Sequence, residues 1–131
     1  MASMGGRYKK GSEFERQVVA EFMACGWVAF RAAGSGKLDR YLPDVIALKD
    51  GRSILIECKV TKNDRISLKP AIDALCDYTK TAGCSAYIAV RFFRKEPRFY
   101  DIRDLVQKDN YTIKESDEYS TVEAIVKGGY S

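Results

Sequence analysis

The sequence predicts an α/β fold, a mixed β-sheet of about five strands flanked by helices, and three observations carry that prediction. An amphipathic pattern of helical period follows Ser12. Asp50-Gly51 then joins two apolar, β-branched runs, which is a strong short-range sign of a two-residue hairpin turn. Finally, a helix-length segment from Leu68 to Ala82 leads into the near-continuous apolar run Ser85 to Arg91, the pattern of a crossover into a parallel strand.

The elements follow in order. Ser12 is suited to cap a helix that runs to about Cys25, with Glu15 at the capping-box position and Gly26 as the stop. Phe14, Val18, Phe22 and Cys25 form its apolar stripe, and Val19 widens it. Helical geometry puts Glu15 inside that apolar arc. A carboxylate there is costly unless it is paired or bound to a metal; the other reading is a capping glutamate that returns to the Ser12 amide. Trp27 to Arg31 reads as the first strand, and Ala32 to Arg40 as a mobile loop of small and basic residues. In the hairpin, Lys49 faces Arg52, so the same register places Asp44 opposite Glu57. Thr61 to Ser67 is polar. Pro70 fits only the first turn of the helix after it, which Gly83 ends. Ser85 to Arg91 suits a sheet centre. Arg98 to Tyr100 is a short edge strand, Ile102 to Lys108 a helical turn or two, and Val122, Ile125 and Val126 a weak apolar group near the C-terminus.

At 131 residues, with 46% hydrophobic and 31% charged, the chain reads as one domain over 1–131. Residues 1–10 have the look of a flexible leader, and 102–131 of a variable C-terminal part. Neither a membrane-spanning apolar run nor a secretory signal is visible, which points to the cytoplasm. Cys25, Cys58, Cys76 and Cys84 lack Cys-x-x-Cys spacing and sit among apolar residues, so buried free thiols are expected. Histidine is absent, which excludes histidine acid–base catalysis and every histidine-ligated metal site. The net charge of +4 is uneven: residues 1–100 hold the basic excess, and 101–131 are acidic. Arg7/Lys9/Lys10, Lys37/Arg40, Lys62/Arg65/Lys69 and Arg91/Arg94/Lys95/Arg98 are spaced as a polyanion track would need, although solvated surface charge gives the same pattern.

The chemistry lies in the hairpin. Directly opposed residues have Cβ atoms roughly 4.5–5.5 Å apart, and like charges there repel. A cation between Asp44 and Glu57 would reverse that sign. Strand alternation puts Lys59 on the face of Glu57. This combination suits a divalent-metal nuclease centre, since hydrolysis of a phosphodiester needs an activated water and relief of developing negative charge. Asp44 and Glu57 are the candidate ligands, with Glu15 completing or supporting them from the helix and the Cys58 carbonyl as an extra oxygen. Lys59 is placed to orient the attacking water or stabilise charge. Arg16, Arg31 and Ser35 are polar groups able to hold the phosphate, and Lys37, Arg40, Lys62 and Arg65 extend the basic surface for DNA. Pro-Asp and Glu-x-Lys are common strings, however, and the bland reading is a strand start and a solvated face.

Four blocks sharpen the choice: Lys10-Gly11-Ser12-Glu13-Phe14-Glu15-Arg16, Arg31-Ala32-Ala33-Gly34-Ser35-Gly36, Pro43-Asp44-Val45-Ile46-Ala47 and Ile56-Glu57-Cys58-Lys59. In this order and spacing they resemble the archaeal Holliday-junction resolvases, cellular and viral, within the PD-(D/E)xK nuclease superfamily. The resemblance spans roughly residues 8–101. It implies a restriction-endonuclease-like core and a homodimer that binds four-way junction DNA. Such an enzyme nicks two opposed strands symmetrically with Mg²⁺, or Mn²⁺ in its place. By the same resemblance Glu15, Asp44 and Glu57 are metal-site acids, Lys59 is the catalytic lysine, Arg16 and Arg31 contact phosphate, and Ser35 helps to shape the site.

Two departures stand out. The family's helix after the lysine often carries a glutamine that reaches toward the site, and the matching position is Ala71, beside Pro70. Residues 102–131 match little. Recombination or replication accessory proteins are further partners compatible with this activity. The competing readings are a restriction-type nuclease acting on other DNA and a catalytically silent DNA-binding module.

Overall fold

The computed structural model describes residues 2–32, 41–109 and 111–128, with side chains from Gly11 onward. Helix α1 spans Ala2–Ala24 and is followed by strands β1 (Val28–Arg31), β2 (Val45–Lys49), β3 (Arg52–Val60) and β4 (Arg65–Ser67). Helix α2 (Lys69–Ala82) leads to β5 (Ser85–Arg91), β6 (Arg98–Asp101), α3 (Ile102–Gln107), β7 (Thr112–Lys114) and α4 (Val122–Gly128).

Five strands form one mixed sheet in the order β1-β2-β3-β5-β6. Its one parallel pairing, β3 with β5, runs from Ile54↔Ser85 to Val60↔Arg91, and α2 is the crossover between them. The hairpin register is the one its turn dictates, from Lys49↔Arg52 to Val45↔Ile56. Asp50 and Gly51 both have positive φ, 50° and 78°, as a turn that matches strand twist requires. Gly83, at φ 69°, ends α2 in the left-handed conformation and donates its N–H to the Thr79 carbonyl.

Each face of the sheet is covered, which is why β5 reads as nearly continuous apolar sequence. On one face, Phe14, Val18 and Phe22 of α1 pack with Val45, Ala47, Ile54, Ile56 and Ala89, and Val122 and Ile125 of α4 close the layer. Burial of each of these Phe, Val and Ile side chains contributes roughly 1.5–3 kcal/mol. Trp27 meets Phe22 edge-on at 5.8 Å, with the Arg52 guanidinium 4.7 Å over its ring. On the other face, Ile72 and Leu75 of α2 meet Ala86, Ile88 and Val90, joined by Ile102 and Leu105 of α3. Alternation along β5 thus serves two cores.

Three expectations change. Helix α1 begins at Ala2 and takes up most of the stretch read as a leader, so Ser12 lies inside the helix and does not cap it. A capping residue is a preference and not a stop, and the Ser12 hydroxyl instead accepts a bond from Arg31 Nη2 at 3.2 Å. The polar stretch after β3 contains β4, which pairs with β7 as a separate two-stranded sheet, Ile66 opposite Ile113. Three-residue strands have too little periodicity to show in sequence. The four cysteines are free but each is only partly buried. Among the described residues, no helix is long and apolar enough to cross a membrane. The mobile loop expected over Ala32 to Arg40 falls, from residue 33 on, outside the described residues.

Candidate metal centre

Glu57 is the one charged residue among the described residues that the fold buries, at 4% exposure. It stands on β3 between Ile56 and Cys58, which turn to the α1 core, so Glu57 faces the α2 side with Leu55. Lys59 shares that side: its Nζ lies 3.3 Å from Glu57 Oε2 and remains about a third exposed. The other carboxylate oxygen, Oε1, is buried without a hydrogen-bond partner.

Asp44 occupies the bend just before β2, one step beyond the last paired residues of the hairpin. Its N–H donates to the Ile56 carbonyl at 3.0 Å, and its carbonyl accepts from the Ala32 N–H at 2.9 Å. Its side chain turns to β3, where Oδ2 accepts the Cys58 N–H at 2.8 Å. The aspartate is therefore held at the junction of β1, β2 and β3. It lies close enough to raise the pKa of Glu57. Burial is the larger cause, Asp44 the second, and together they push Glu57 up to about 7 against the opposing effects of Tyr41 and Lys59. Burial and the surrounding acids raise the Cys58 thiol as well.

Glu15 pairs with an arginine, and its charge reaches Cys58 as those of Asp44 and Glu57 do. It sits on α1, 21% exposed at its side chain, and its Oε1 accepts Arg31 Nε at 2.9 Å. It is thus half-buried and paired by an arginine. Among the described residues, no group of three or more acidic, cysteine or histidine side chains stands ready-made around a cation. Asp44 and Glu57 come together; Glu15 and Arg31 form a second pair on the α1 side.

Arg16, Lys62 and Arg65 are exposed, and Arg65 pairs with Asp64 at 3.1 Å on the surface. Ser35, Lys37 and Arg40 lie outside the described residues. The cluster Arg91/Arg94/Lys95/Arg98 divides. Arg91 bonds Gln17 and covers the Phe14 ring, and Arg98 bonds the Glu115 carbonyl and covers Tyr119. Arg94 and Lys95 stay exposed. Ala71, at the position matched to the glutamine, is 5% exposed in the α2 core.

Tyr41 escaped the sequence reading. Its ring packs against the α2 core and its buried hydroxyl lies in the field of Glu57, although neither that hydroxyl nor Glu57 Oε1 completes a hydrogen bond. No periodicity marks it, and only its position three residues before Asp44 hinted at the site.

The residues present fit a divalent cation. A buried carboxylate with an unpartnered oxygen, beside a second carboxylate, is a poor arrangement for two anions alone and a good one for a positive ion with oxygen ligands.

A mixed five-stranded sheet that carries an aspartate at the head of one strand and Glu-x-Lys on the next defines a PD-(D/E)xK nuclease. The chain belongs to the archaeal Holliday junction resolvase (Hjc) family, whose model matches residues 6–129. It is 32% identical over 109 residues to the crossover junction endodeoxyribonuclease Hjc of Archaeoglobus fulgidus, covering 82% of this chain and 80% of that protein. The Sulfolobus acidocaldarius protein of the same name is 31% identical over 132 residues, covering 93% and 92%. The 1.6 Å structure of Archaeoglobus fulgidus Hjc, a Holliday junction resolvase from an archaeal hyperthermophile, superposes with a TM-score of 0.77 at 27% identity, covering 90% of this chain and 99% of that one. As a member of this family, the chain is a Holliday junction resolvase.

Proposed function

We propose that two copies of this chain bind a four-way DNA junction as a two-fold dimer and nick two opposed strands, each copy hydrolysing one phosphodiester with a divalent metal. Glu57 carries the reading. It is nearly closed off from solvent, with one oxygen on Lys59, the other without a partner, and Asp44 alongside.

Asp44 and Glu57 would hold the ion, with the Cys58 carbonyl as a further oxygen and Glu15 as the supporting acid on α1. Bound there, Mg²⁺, or Mn²⁺ in its place, supplies an activated water and relief of charge on the phosphoryl oxygens. Lys59 keeps its ammonium beside Glu57 and partly open, where it can stabilise negative charge on the phosphate or orient the water. Arg31 is held by Glu15 and Ser12, so its guanidinium is fixed before DNA arrives. Arg16, Lys62 and Arg65 on the surface, together with Ser35, Lys37 and Arg40, hold the DNA backbone.

A junction has two equivalent scission sites, and a two-fold dimer matches that symmetry. Exposed Val28 and Phe30 on the edge strand β1, and exposed Phe93, supply apolar surface for a second copy to cover. Phosphate contacts position a duplex without reading its bases, so junction choice rests on the spacing of arms and sites. The setting is the cytoplasm of an archaeal cell, or of one infected by a virus.

The test is cleavage of a labelled four-way junction and of a linear duplex with the same arm sequence, with Mg²⁺ and with chelator. Paired nicks near the crossover, on the junction alone and only with metal, are expected. Equal cutting of both substrates would sink the junction assignment and leave the metal centre. Binding without cutting under every divalent ion would favour a silent module.

A further inference from the structure

Tyr41 joins the α2 helix to the metal centre. Its backbone carbonyl accepts the hydroxyl of Tyr78 from α2, and its ring packs against the core under that helix. Helix α2 turns Ala71, Ile72 and Leu75 inward, all apolar. A polar connection from α2 toward Glu57 runs through Tyr78 and Tyr41. At the far end, the Tyr41 hydroxyl and Glu57 Oε1 are both buried and both lack a hydrogen-bond partner. A phenol can donate and a carboxylate can only accept, so the two unsatisfied atoms complement each other. Native proteins rarely leave two such atoms unpaired side by side.

We propose that Tyr41 is a positioning residue for the metal centre: its phenol donates to one lone pair of Glu57 Oε1 and leaves the other turned to the cation. This rests on the reading of Asp44 and Glu57 as metal ligands. Lys59 restrains one Glu57 oxygen by charge, and Tyr41 restrains the other by a directional bond. Between them the carboxylate loses its rotational freedom before a metal binds. A phenol ordinarily titrates at about 10, so the hydroxyl is protonated and able to donate at neutral pH. Outer groups that orient a ligand act on affinity for the ion, and their loss typically weakens it by about 10- to 100-fold.

The experiment compares the parent protein with Tyr41→Phe, which keeps the ring and removes only the hydroxyl. Mn²⁺ binding is followed by the loss of the free-ion EPR signal, and junction cleavage is measured across a Mn²⁺ series. The variant is expected to bind Mn²⁺ about tenfold more weakly and to need correspondingly more ion for half-maximal cutting. Its rate at saturating Mn²⁺ and its junction affinity should stay near the parent's, a split that general loosening of the fold would not produce. On a Glu57→Ala background, removing the hydroxyl should leave residual Mn²⁺ binding unchanged.

Parent-like Mn²⁺ affinity in Tyr41→Phe would overturn the role of Tyr41 alone. So would the same loss on the Glu57→Ala background. A parent protein that bound no Mn²⁺ would overturn the metal centre, and Tyr41's role with it. A second measurement needs no variant of Tyr41. With Mg²⁺ bound to the parent, the Tyr41 hydroxyl proton should give an exchange-protected NMR resonance that is lost in Glu57→Ala, and its absence from the parent would count against the bond.

Discussion

Asp44 reaches across from the head of β2 and accepts the backbone N–H of Cys58 through Oδ2 at 2.8 Å. The residue proposed as a metal ligand also completes the hydrogen bonding of the strand that bears Glu57 and Lys59. One side chain therefore couples the hairpin's geometry to the acids' spacing.

That dual role separates two substitutions. Asp44→Asn keeps an oxygen able to accept from Cys58 and should unfold within about 0.5 kcal/mol of the parent, whereas Asp44→Ala leaves the N–H unsatisfied and should lose about 1–3 kcal/mol. Both should lose metal-dependent junction cleavage. Denaturant unfolding with parallel cleavage assays checks the pair, and equal stability of the two variants would show that the Cys58 bond contributes nothing.

The raised pKa of Glu57 predicts how metal-free stability depends on pH. An unfolded glutamate titrates near its ordinary value of 4.5 and the folded one at about 7, so between those values the folded protein holds more protons. Stability from this group is therefore full below about 4.5 and falls as pH rises through 7. At 1.36 kcal/mol per pH unit, the loss amounts to about 3 kcal/mol. In chelator, Tm should drop from pH 5 to pH 8. Glu57→Gln should flatten the curve and exceed the parent's Tm at pH 8, and added Mg²⁺ should restore the parent. A metal-free parent whose Tm rose over this interval would contradict the assignment.

Lys59→Met removes the ammonium and keeps the stem. The expected result is junction binding within about threefold of the parent and cleavage slowed by about 10²–10³-fold, as for loss of one charge-stabilising donor. Single-turnover rates with saturating enzyme separate the two quantities. A large loss of binding would instead make Lys59 a general contact to the DNA backbone.

Junction affinity should fall steeply with salt, because bound phosphates release counterions, with a log–log slope of about −0.9 per contact on duplex arms. Arg16→Ala, Lys62→Ala and Arg65→Ala should each reduce that slope by about one unit if the residue touches a phosphate. Anisotropy titrations over a salt series read this directly. An unchanged slope at Arg65 would mean that its surface pair with Asp64 outlasts DNA binding.

The hairpin and the strands around it were legible because their information is local. Asp50-Gly51 sets the turn, the turn sets the register, and the register brings Asp44 to the level of Glu57 with Lys59 on the same side. The crossover from β3 through α2 to β5 followed from segment lengths and apolar patterning, which the two covered sheet faces impose. The helical periodicity likewise placed Phe14, Val18 and Phe22 in the core. The remaining features depend on contacts between distant residues. Glu15 lies on the half-buried side of α1 as its spacing implied, yet its pairing with Arg31 depends on how α1 seats against β1. The β4–β7 sheet joins two three-residue segments far apart in the chain, and neither carries a pattern of its own. Tyr41 is tied to the site by tertiary packing, its ring against the α2 core and its backbone carbonyl held by Tyr78. Periodicity records which way a residue faces; which partner it meets is decided when the layers pack.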